Sequence, residues 1–136
     1  MRRYMLIDDD EIFNFLNKRI LELSGTDGKI SIYTSAQKAL KWLNDSIGEK
    51  DAWPEIILLD IRMPIMDGFA FLDGFMQMPA EKIRQVKVFM LTSSLDEKDR
   101  KRSASYPVVY GYYSKPMTPE ILREMDAMPL KDLTTT

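Results

Sequence analysis

Short apolar runs alternate with segments of helical periodicity along the whole chain. Five runs fit buried strands: residues 4–7 ("YMLI"), 30–33, 55–60 ("EIILLD"), 86–91 and 108–114. The third run has no polar alternation, which is typical of a strand buried on both faces. The resulting βαβαβαβαβα order predicts a parallel sheet with helices on both faces and right-handed crossovers. A length of 136 residues suits a single domain of this kind.

The helices between these strands are predicted from apolar spacing and from capping residues. Apolar residues three and four positions apart predict one face each for the first, second and fifth helices: Phe13, Leu16, Ile20 and Leu23; Ala36, Leu40, Leu43 and Ile47; Ile121, Met125 and Met128. Asp10 is expected to cap the first helix, and capping residues start the second, fourth and fifth helices at Thr34, Ser94 and Thr118. The third helix is predicted over 67–78. The fourth, over 95–105, has almost no apolar stripe and should face solvent.

Polar side chains follow four of the five predicted strands. Asp8, Asp9 and Asp10 follow the first; Asp60 follows the third; Thr92, Ser93 and Ser94 follow the fourth; Lys115 and Pro116 follow the fifth. Ligands of open parallel sheets bind beyond the carboxyl ends of the strands, so these groups predict a site at one edge. Each residue alone has a simpler interpretation: a helix cap for Asp8–Asp10 and Ser94, a strand end for Asp60, a β-forming residue for Thr92, and a surface position for Lys115.

The residue types at this edge restrict its chemistry. The chain has no histidine and no cysteine, so it has no imidazole base, no thiol nucleophile and no zinc–thiolate site. Clustered carboxylates repel one another unless a cation lies between them, and a hard cation with oxygen ligands is then expected. Mg²⁺ fits that description. A carboxylate, a metal, a hydroxyl and an ammonium are together the parts that stabilise charge in phosphoryl transfer.

Charge and hydropathy predict which partners to exclude. A net charge of −2 does not favour nucleic acid, which is usually bound by a basic face. No run approaches the roughly 20 apolar residues of a membrane span, and the opening "MRRYMLIDDD" is too short for a signal-peptide core. A cytoplasmic protein with neither nucleic acid nor membrane as partner is therefore predicted.

Four stretches carry a resemblance to a known family. "LIDDDE", "LLDIRMPIMDG", "LTSS" and "YYSKP" resemble, in order and spacing, the receiver domains of two-component response regulators, in particular CheY-like single-domain receivers. The resemblance covers residues 3 to 128. It implies a flavodoxin-like, doubly wound, five-stranded parallel sheet of order 2-1-3-4-5 with helices on both faces. On this basis residues 1–128 are the receiver domain and 129–136 a short tail, of which 131–136 should be loose.

The resemblance also assigns roles to residues. It implies that Asp60 accepts a phosphoryl group from a sensor histidine kinase or a histidine phosphotransfer protein. Asp8 and Asp9 form an acidic pair, and the metal site comprises Asp8, Asp9, Asp60 and the backbone carbonyl of Arg62. Thr92 and Lys115 contact the phosphoryl oxygens, while Thr92 and Tyr112 form a switch. Arg62 and Ser94 tune dephosphorylation. Pro64 and Gly68 shape the turn after Asp60, and the Lys115–Pro116 bond can be cis.

The resemblance leaves several points open. The output face is implied to comprise the fourth helix, the fifth strand and the fifth helix, with an unknown downstream protein and a phosphorylation-dependent homodimer as possible partners. The side chain of Arg62 could instead lie in solvent, and Tyr112 could simply pack beside the fourth helix. Two other functions compete: a receiver-like binding module that is never phosphorylated, and a phosphohydrolase of the haloacid dehalogenase type. The latter requires a second aspartate where Arg62 stands.

Overall fold

The strands form one parallel sheet in the order β2-β1-β3-β4-β5. The computed structural model describes residues 2–24 and 28–132. Its strands are β1 (Arg3–Ile7), β2 (Lys29–Tyr33), β3 (Ile56–Leu59), β4 (Lys87–Thr92) and β5 (Val109–Ser114). The flavodoxin-like topology predicted from the resemblance is therefore confirmed, and each predicted strand end differs from the observed one by at most one residue.

The helices of the described chain are α1 (Glu11–Leu23), α2 (Ala36–Asp45), α3 (Gly68–Phe75), α4 (Ala80–Ile83), α5 (Glu97–Ala104) and α6 (Pro119–Ala127). The third helix is shorter than the predicted range 67–78, because α3 ends at Phe75 and the one-turn helix α4 follows it. Pro79 separates the two helices, since proline disfavours helical backbone in the residue before it. The predicted fourth and fifth helices correspond to α5 and α6.

Two of the predicted helix caps are wrong. The cap of α2 is Ser35 rather than Thr34, and its hydroxyl accepts a hydrogen bond from the Lys38 N–H at 3.3 Å. The cap of α5 is Asp96 rather than Ser94. In both cases the helix begins later than the capping-box spacing suggested, since a neighbouring residue also caps well. Asp10 and Thr118 do cap α1 and α6.

The core lies in two layers, one on each face of the sheet. Successive residues of a strand point to opposite faces, so every strand feeds both layers. One layer packs against α2 and α3 and includes Met5, Ile7, Ile57, Leu59, Val88 and Met90. The other packs against α1 and α6 and includes Tyr4, Leu6, Ile56, Leu58, Phe89 and Leu91. This double burial explains why the strand sequences are apolar without alternation.

The apolar stripe predicted on α1 is only partly buried, since Ile20 packs against the core and Phe13 is half-buried. Leu16 and Leu23 are 42% and 72% exposed, whereas the buried positions are Asn14, Asn17 and Leu21. The inner side of α1 lies next to polar backbone at the carboxyl edge, where the Asn14 amide donates to the Asp8 carbonyl at 2.8 Å. Periodicity located an apolar stripe correctly but could not tell that two of its four residues face outward.

Lys87 joins the start of β4 to the end of α6. This lysine is 3% exposed, and its ammonium donates to the carbonyl oxygens of Met125 at 2.7 Å and Met128 at 2.8 Å. Carbonyls at a helix C-terminus lack intrahelical partners and attract cations. Lys87→Met is therefore expected to lower the free energy of unfolding by about 2 kcal/mol, because buried carbonyls lose their donor. Urea denaturation measures this, with the exposed Lys98→Met as control. Equal stability of the two variants would contradict this role.

The predicted tail is partly held in place. The Lys131 backbone N–H donates to the Tyr110 hydroxyl at 2.8 Å, and its ammonium donates to the Val109 carbonyl at 3.1 Å. The expectation that residues 131–136 are loose is therefore wrong for Lys131, while residues 133–136 lie outside the described part of the chain. The boundary at residue 128 stays a prediction.

Candidate functional site

Three carboxylates meet at the carboxyl edge of the sheet. β1 and β3 are neighbours in register, with Ile7 paired to Leu59, so the residues that follow them are adjacent. One carboxylate oxygen from each of Asp8, Asp9 and Asp60 lies within 4.8 Å of the others. Asp8 and Asp60 are each 5% exposed, whereas Asp9 faces solvent. The acidic residues singled out in the sequence thus form one cluster.

Lys115 brings a positive charge into this cluster. It follows β5, and its ammonium lies 2.6 Å from Asp8 Oδ2 and 3.2 Å from Asp60 Oδ2. The Lys115 side chain is only 5% exposed, and its Nζ also lies 4.5 Å from the centre of the Phe13 ring. The Lys115–Pro116 peptide bond is cis. In this structure the ammonium therefore bridges two of the three carboxylates.

Burial and charge shift the proton affinities of this pair. Desolvation raises the pKa of Asp8 above its ordinary value of 3.8, and the nearby charge of Asp60 adds to that rise. Burial by itself lowers the pKa of Lys115, but the hydrogen bond to Asp8 and the charges of both aspartates outweigh it, so the pKa of Lys115 is raised. One ammonium is shared between two buried carboxylates, which explains why Asp8 is incompletely stabilised as an anion.

The chain around Asp60 is fixed by backbone contacts. Asp60 Oδ1 accepts a hydrogen bond from the Ile61 N–H at 2.8 Å, and the Gly68 N–H donates to the Ile61 carbonyl at 2.9 Å. A Cβ atom at Gly68 would collide with the Asp60 carbonyl oxygen, so only glycine permits this close return of the chain. Between them Ile65 adopts a φ of 71°, which is strained for a β-branched residue.

Thr92 and Tyr112 are connected through Ser94. Thr92 ends β4 fully buried, and its hydroxyl oxygen accepts a hydrogen bond from the Ser94 N–H at 3.2 Å. The Tyr112 hydroxyl donates to the Ser94 carbonyl at 2.9 Å. The two residues predicted to form a switch therefore contact opposite ends of one residue's backbone. Tyr112 also has the Arg100 guanidinium 4.9 Å from its ring centre.

Arg62 and Ser94 meet at a residue that sequence analysis missed. Arg62 Nη2 and Ser94 Oγ each lie 2.6 Å from the same oxygen, Asp99 Oδ2, on α5. The Arg62 side chain is 63% exposed but ion-paired, so the interpretation that it only extends into solvent is wrong. In the sequence Asp99 is one acidic residue among several at the start of a polar helix, and nothing in the local pattern distinguishes it.

The cluster suits a divalent metal ion. All its donors are carboxylate oxygens, which Mg²⁺ prefers over nitrogen and sulfur. Three ionised carboxylates and one ammonium leave a charge of −2, which a divalent cation balances. Asp8, Asp9 and Asp60 are the residues that would hold such an ion. The participation of the Arg62 carbonyl stays a prediction.

Comparison with known proteins agrees with this geometry. The sequence profile of the response regulator receiver domain matches residues 4–126. The chain belongs to the response regulator receiver family. The crystal structure of a two-component response regulator from Cytophaga hutchinsonii is similar, with 35% identity, a TM-score of 0.84, and coverage of 91% of this chain and 92% of that one. A receiver protein from Dyadobacter fermentans has 26% identity and a TM-score of 0.78, with coverage of 90% and 93%.

Curated relatives of this receiver include longer regulators. The probable methanogenesis regulatory protein FilR2 of Methanothrix harundinacea is 30% identical over 119 residues, which are 88% of this chain and 75% of that protein. The transcriptional regulatory protein CpxR of Escherichia coli is 32% identical over 100 residues, covering 74% of this chain and 37% of CpxR. Among the described residues, no helix is long and apolar enough to cross a membrane.

Proposed function

We propose that this receiver accepts a phosphoryl group on Asp60 from the phosphohistidine of a sensor histidine kinase or a histidine phosphotransfer protein. An oxygen of the Asp60 carboxylate forms the new bond to phosphorus, the phosphorus–nitrogen bond breaks, and the imidazole leaves with the electron pair. The observation that carries this proposal is the placement of Asp60 at the end of a buried strand, beside Asp8, Asp9 and the Lys115 ammonium.

The residues around Asp60 have separate tasks in this transfer. Asp60 Oδ1 is held by the Ile61 N–H, so the carboxylate has a fixed orientation towards the cluster. The Lys115 ammonium stabilises negative charge on the phosphoryl oxygens, and the Thr92 hydroxyl donates to one of them. A Mg²⁺ ion held by Asp8, Asp9 and Asp60 would supply further charge neutralisation. These roles follow the family assignment and the surrounding geometry supports them.

Apolar residues around the same edge support a protein as phosphodonor. Ile12 and Phe15 on α1 are 71% and 62% exposed, and Ile65 and Leu95, which follow β3 and β4, are 91% and 89% exposed. Exposed apolar residues grouped around a reactive centre are typical of a protein–protein contact. We infer that the donor protein docks over this edge in the cytoplasm, and that the downstream partner is bound through the face of α5, β5 and α6.

Acetyl phosphate tests the proposed function directly. The protein is incubated with MgCl₂ and acetyl phosphate, and the mass of the intact chain is measured over time. A receiver gains one phosphoryl group that is lost on standing. A hydrolase turns over many equivalents of acetyl phosphate without a stable gain in mass. A binding module gains nothing, and either of these last two results would refute the proposal.

Phosphorylation is expected to perturb the region from Thr92 to Lys115 most strongly. A phosphoryl oxygen would draw the Thr92 hydroxyl away from the Ser94 N–H. Ser94 is then less fixed in position, which weakens the hydrogen bond from the Tyr112 hydroxyl to the Ser94 carbonyl. The helix α5 presents few apolar side chains to the core, so little packing resists a shift. NMR spectra before and after labelling should show larger amide shifts across 92–115 than across 30–50. An equal or reversed pattern would refute the switch.

A further inference from the structure

One carboxylate ties both loops beside the phosphoacceptor to α5. Asp99 Oδ2 accepts hydrogen bonds from Arg62 and from Ser94, each at 2.6 Å. Arg62 stands two residues after Asp60, and Ser94 two residues after Thr92. The Asp99 side chain is 12% exposed, whereas Arg62 is 63% exposed. A largely buried anion therefore holds the exposed side chain of a cation that stands two residues after the reactive carboxylate.

Asp99 also contributes to the anchoring of α5. The residues of this helix that are buried are Asp99 and Ser103, both polar, and the Ser103 hydroxyl donates to the Asp99 carbonyl at 2.8 Å. The Ser94 carbonyl in turn accepts from Tyr112. Since the buried residues of α5 are polar, the contacts of Asp99 with Arg62 and Ser94 help to hold this helix beside the site, as does the Arg102 guanidinium, 4.2 Å from the centre of the Phe69 ring.

We propose that Asp99 is a positioning residue that competes with the phosphorylated Asp60 for the Arg62 guanidinium. Before labelling, Asp99 holds Arg62. Phosphorylation raises the negative charge at Asp60 from −1 towards about −2, and Arg62 then pairs with the phosphoryl oxygens instead. Asp99 loses its cation, and the attachment of α5 is weakened in the same step. This inference rests on the proposed function, because it requires a phosphoryl group on Asp60.

The competition controls how long the phosphoryl group persists. In its loss, a water oxygen bonds to phosphorus, the bond from phosphorus to the Asp60 oxygen breaks, the carboxylate leaves, and the water proton passes to solvent or phosphate. A guanidinium on the phosphoryl oxygens obstructs the approach of that water. While Asp99 holds the Arg62 guanidinium, that guanidinium does not protect the phosphoryl group. Asp99 therefore shortens the lifetime of the phosphorylated protein.

A set of four proteins tests this competition: wild type, Arg62→Ala, Asp99→Asn and the double variant. Each is labelled with acetyl phosphate and MgCl₂, desalted, and followed by intact mass as the phosphoryl group is lost. Arg62→Ala should shorten the lifetime. Asp99→Asn should lengthen it about fivefold, which corresponds to about 1 kcal/mol and is the scale of a partly exposed ion pair. The double variant should behave like Arg62→Ala alone.

Two further variants control the result. Asp96→Asn removes a carboxylate from the same end of α5. Asp96 caps this helix by accepting a hydrogen bond from the Lys98 N–H, and asparagine caps equally well. The phosphorylated Asp96→Asn protein is therefore expected to have the wild-type lifetime. Asp99→Ser is a second way to remove the competing anion, and it should also lengthen the lifetime if Asp99→Asn does not fold.

The outcomes separate the two proposals. A wild-type protein that takes no label refutes the proposed function and this inference with it. A wild-type protein that labels normally, with an unchanged or shortened lifetime for the Asp99 variants, refutes only the competition. A lengthened lifetime that persists in the Arg62→Ala background also refutes it, since the effect would then not pass through Arg62.

Discussion

Replacing Asp60 with asparagine is expected to abolish labelling by acetyl phosphate. The amide has nearly the shape of the carboxylate, and its oxygen can still accept the hydrogen bond from the Ile61 N–H. It lacks the charge and nucleophilicity needed to bond to phosphorus. The measurement is the intact mass after incubation with MgCl₂ and acetyl phosphate, compared with wild type under the same conditions.

Asp67→Asn is the matched control for this variant. Asp67 lies in the same loop and caps α3 by accepting from the Ala70 N–H at 2.8 Å, a task that asparagine also performs. It should label like wild type. Urea denaturation of both variants checks that the fold is intact. Undiminished labelling of Asp60→Asn would show that another residue accepts the phosphoryl group.

Adding Mg²⁺ to the metal-free protein is expected to stabilise its fold. Because the pKa of Asp8 is raised in the folded state, its contribution to stability is complete below 3.8 and is lost as the pH rises through the folded pKa. At neutral pH the three carboxylates therefore repel one another, with only Lys115 among them. Mg²⁺ should stabilise the fold by about 2.7 kcal/mol at a hundredfold excess over its dissociation constant.

Asp9→Asn is expected to remove most of this stabilisation by Mg²⁺. Without metal the variant should be at least as stable as wild type, because one repelling charge is gone. With metal it should gain little, because a ligand is missing. Thermal melts of both proteins in EDTA and in millimolar MgCl₂ measure the difference.

Asp10→Asn serves as the control for the metal effect. An alternative role for Asp9 is to cap α1, but Asp10 performs that task by accepting from the Ile12 N–H at 2.9 Å. Asparagine at position 10 should cap as well and keep the full rise in melting temperature on adding Mg²⁺. If Asp9→Asn also keeps that full rise, Asp9 is not a metal ligand.

The residue patterns of the sequence by themselves determined the alternation of strands and helices and the edge at which the site lies. Unbroken apolar runs such as 55–60 imply burial on both faces, and parallel strands place their carboxyl ends together. Asp8, Asp60, Thr92 and Lys115 could therefore be assigned to one edge from their positions after strands. The family resemblance, carried by four short motifs, then supplied the sheet order 2-1-3-4-5, which the structure confirms.

Only the tertiary structure decided which side chains contact one another and which face of a helix is covered. Leu16 and Leu23 continue an apolar stripe, yet they lie outward, while Asn14 of the same helix is buried against the Asp8 carbonyl at the site. Arg62 and Asp99 are 37 residues apart in sequence and meet at 2.6 Å. Such a contact leaves no periodic signal, because it depends on how two loops and a helix pack around the end of the sheet rather than on local backbone geometry.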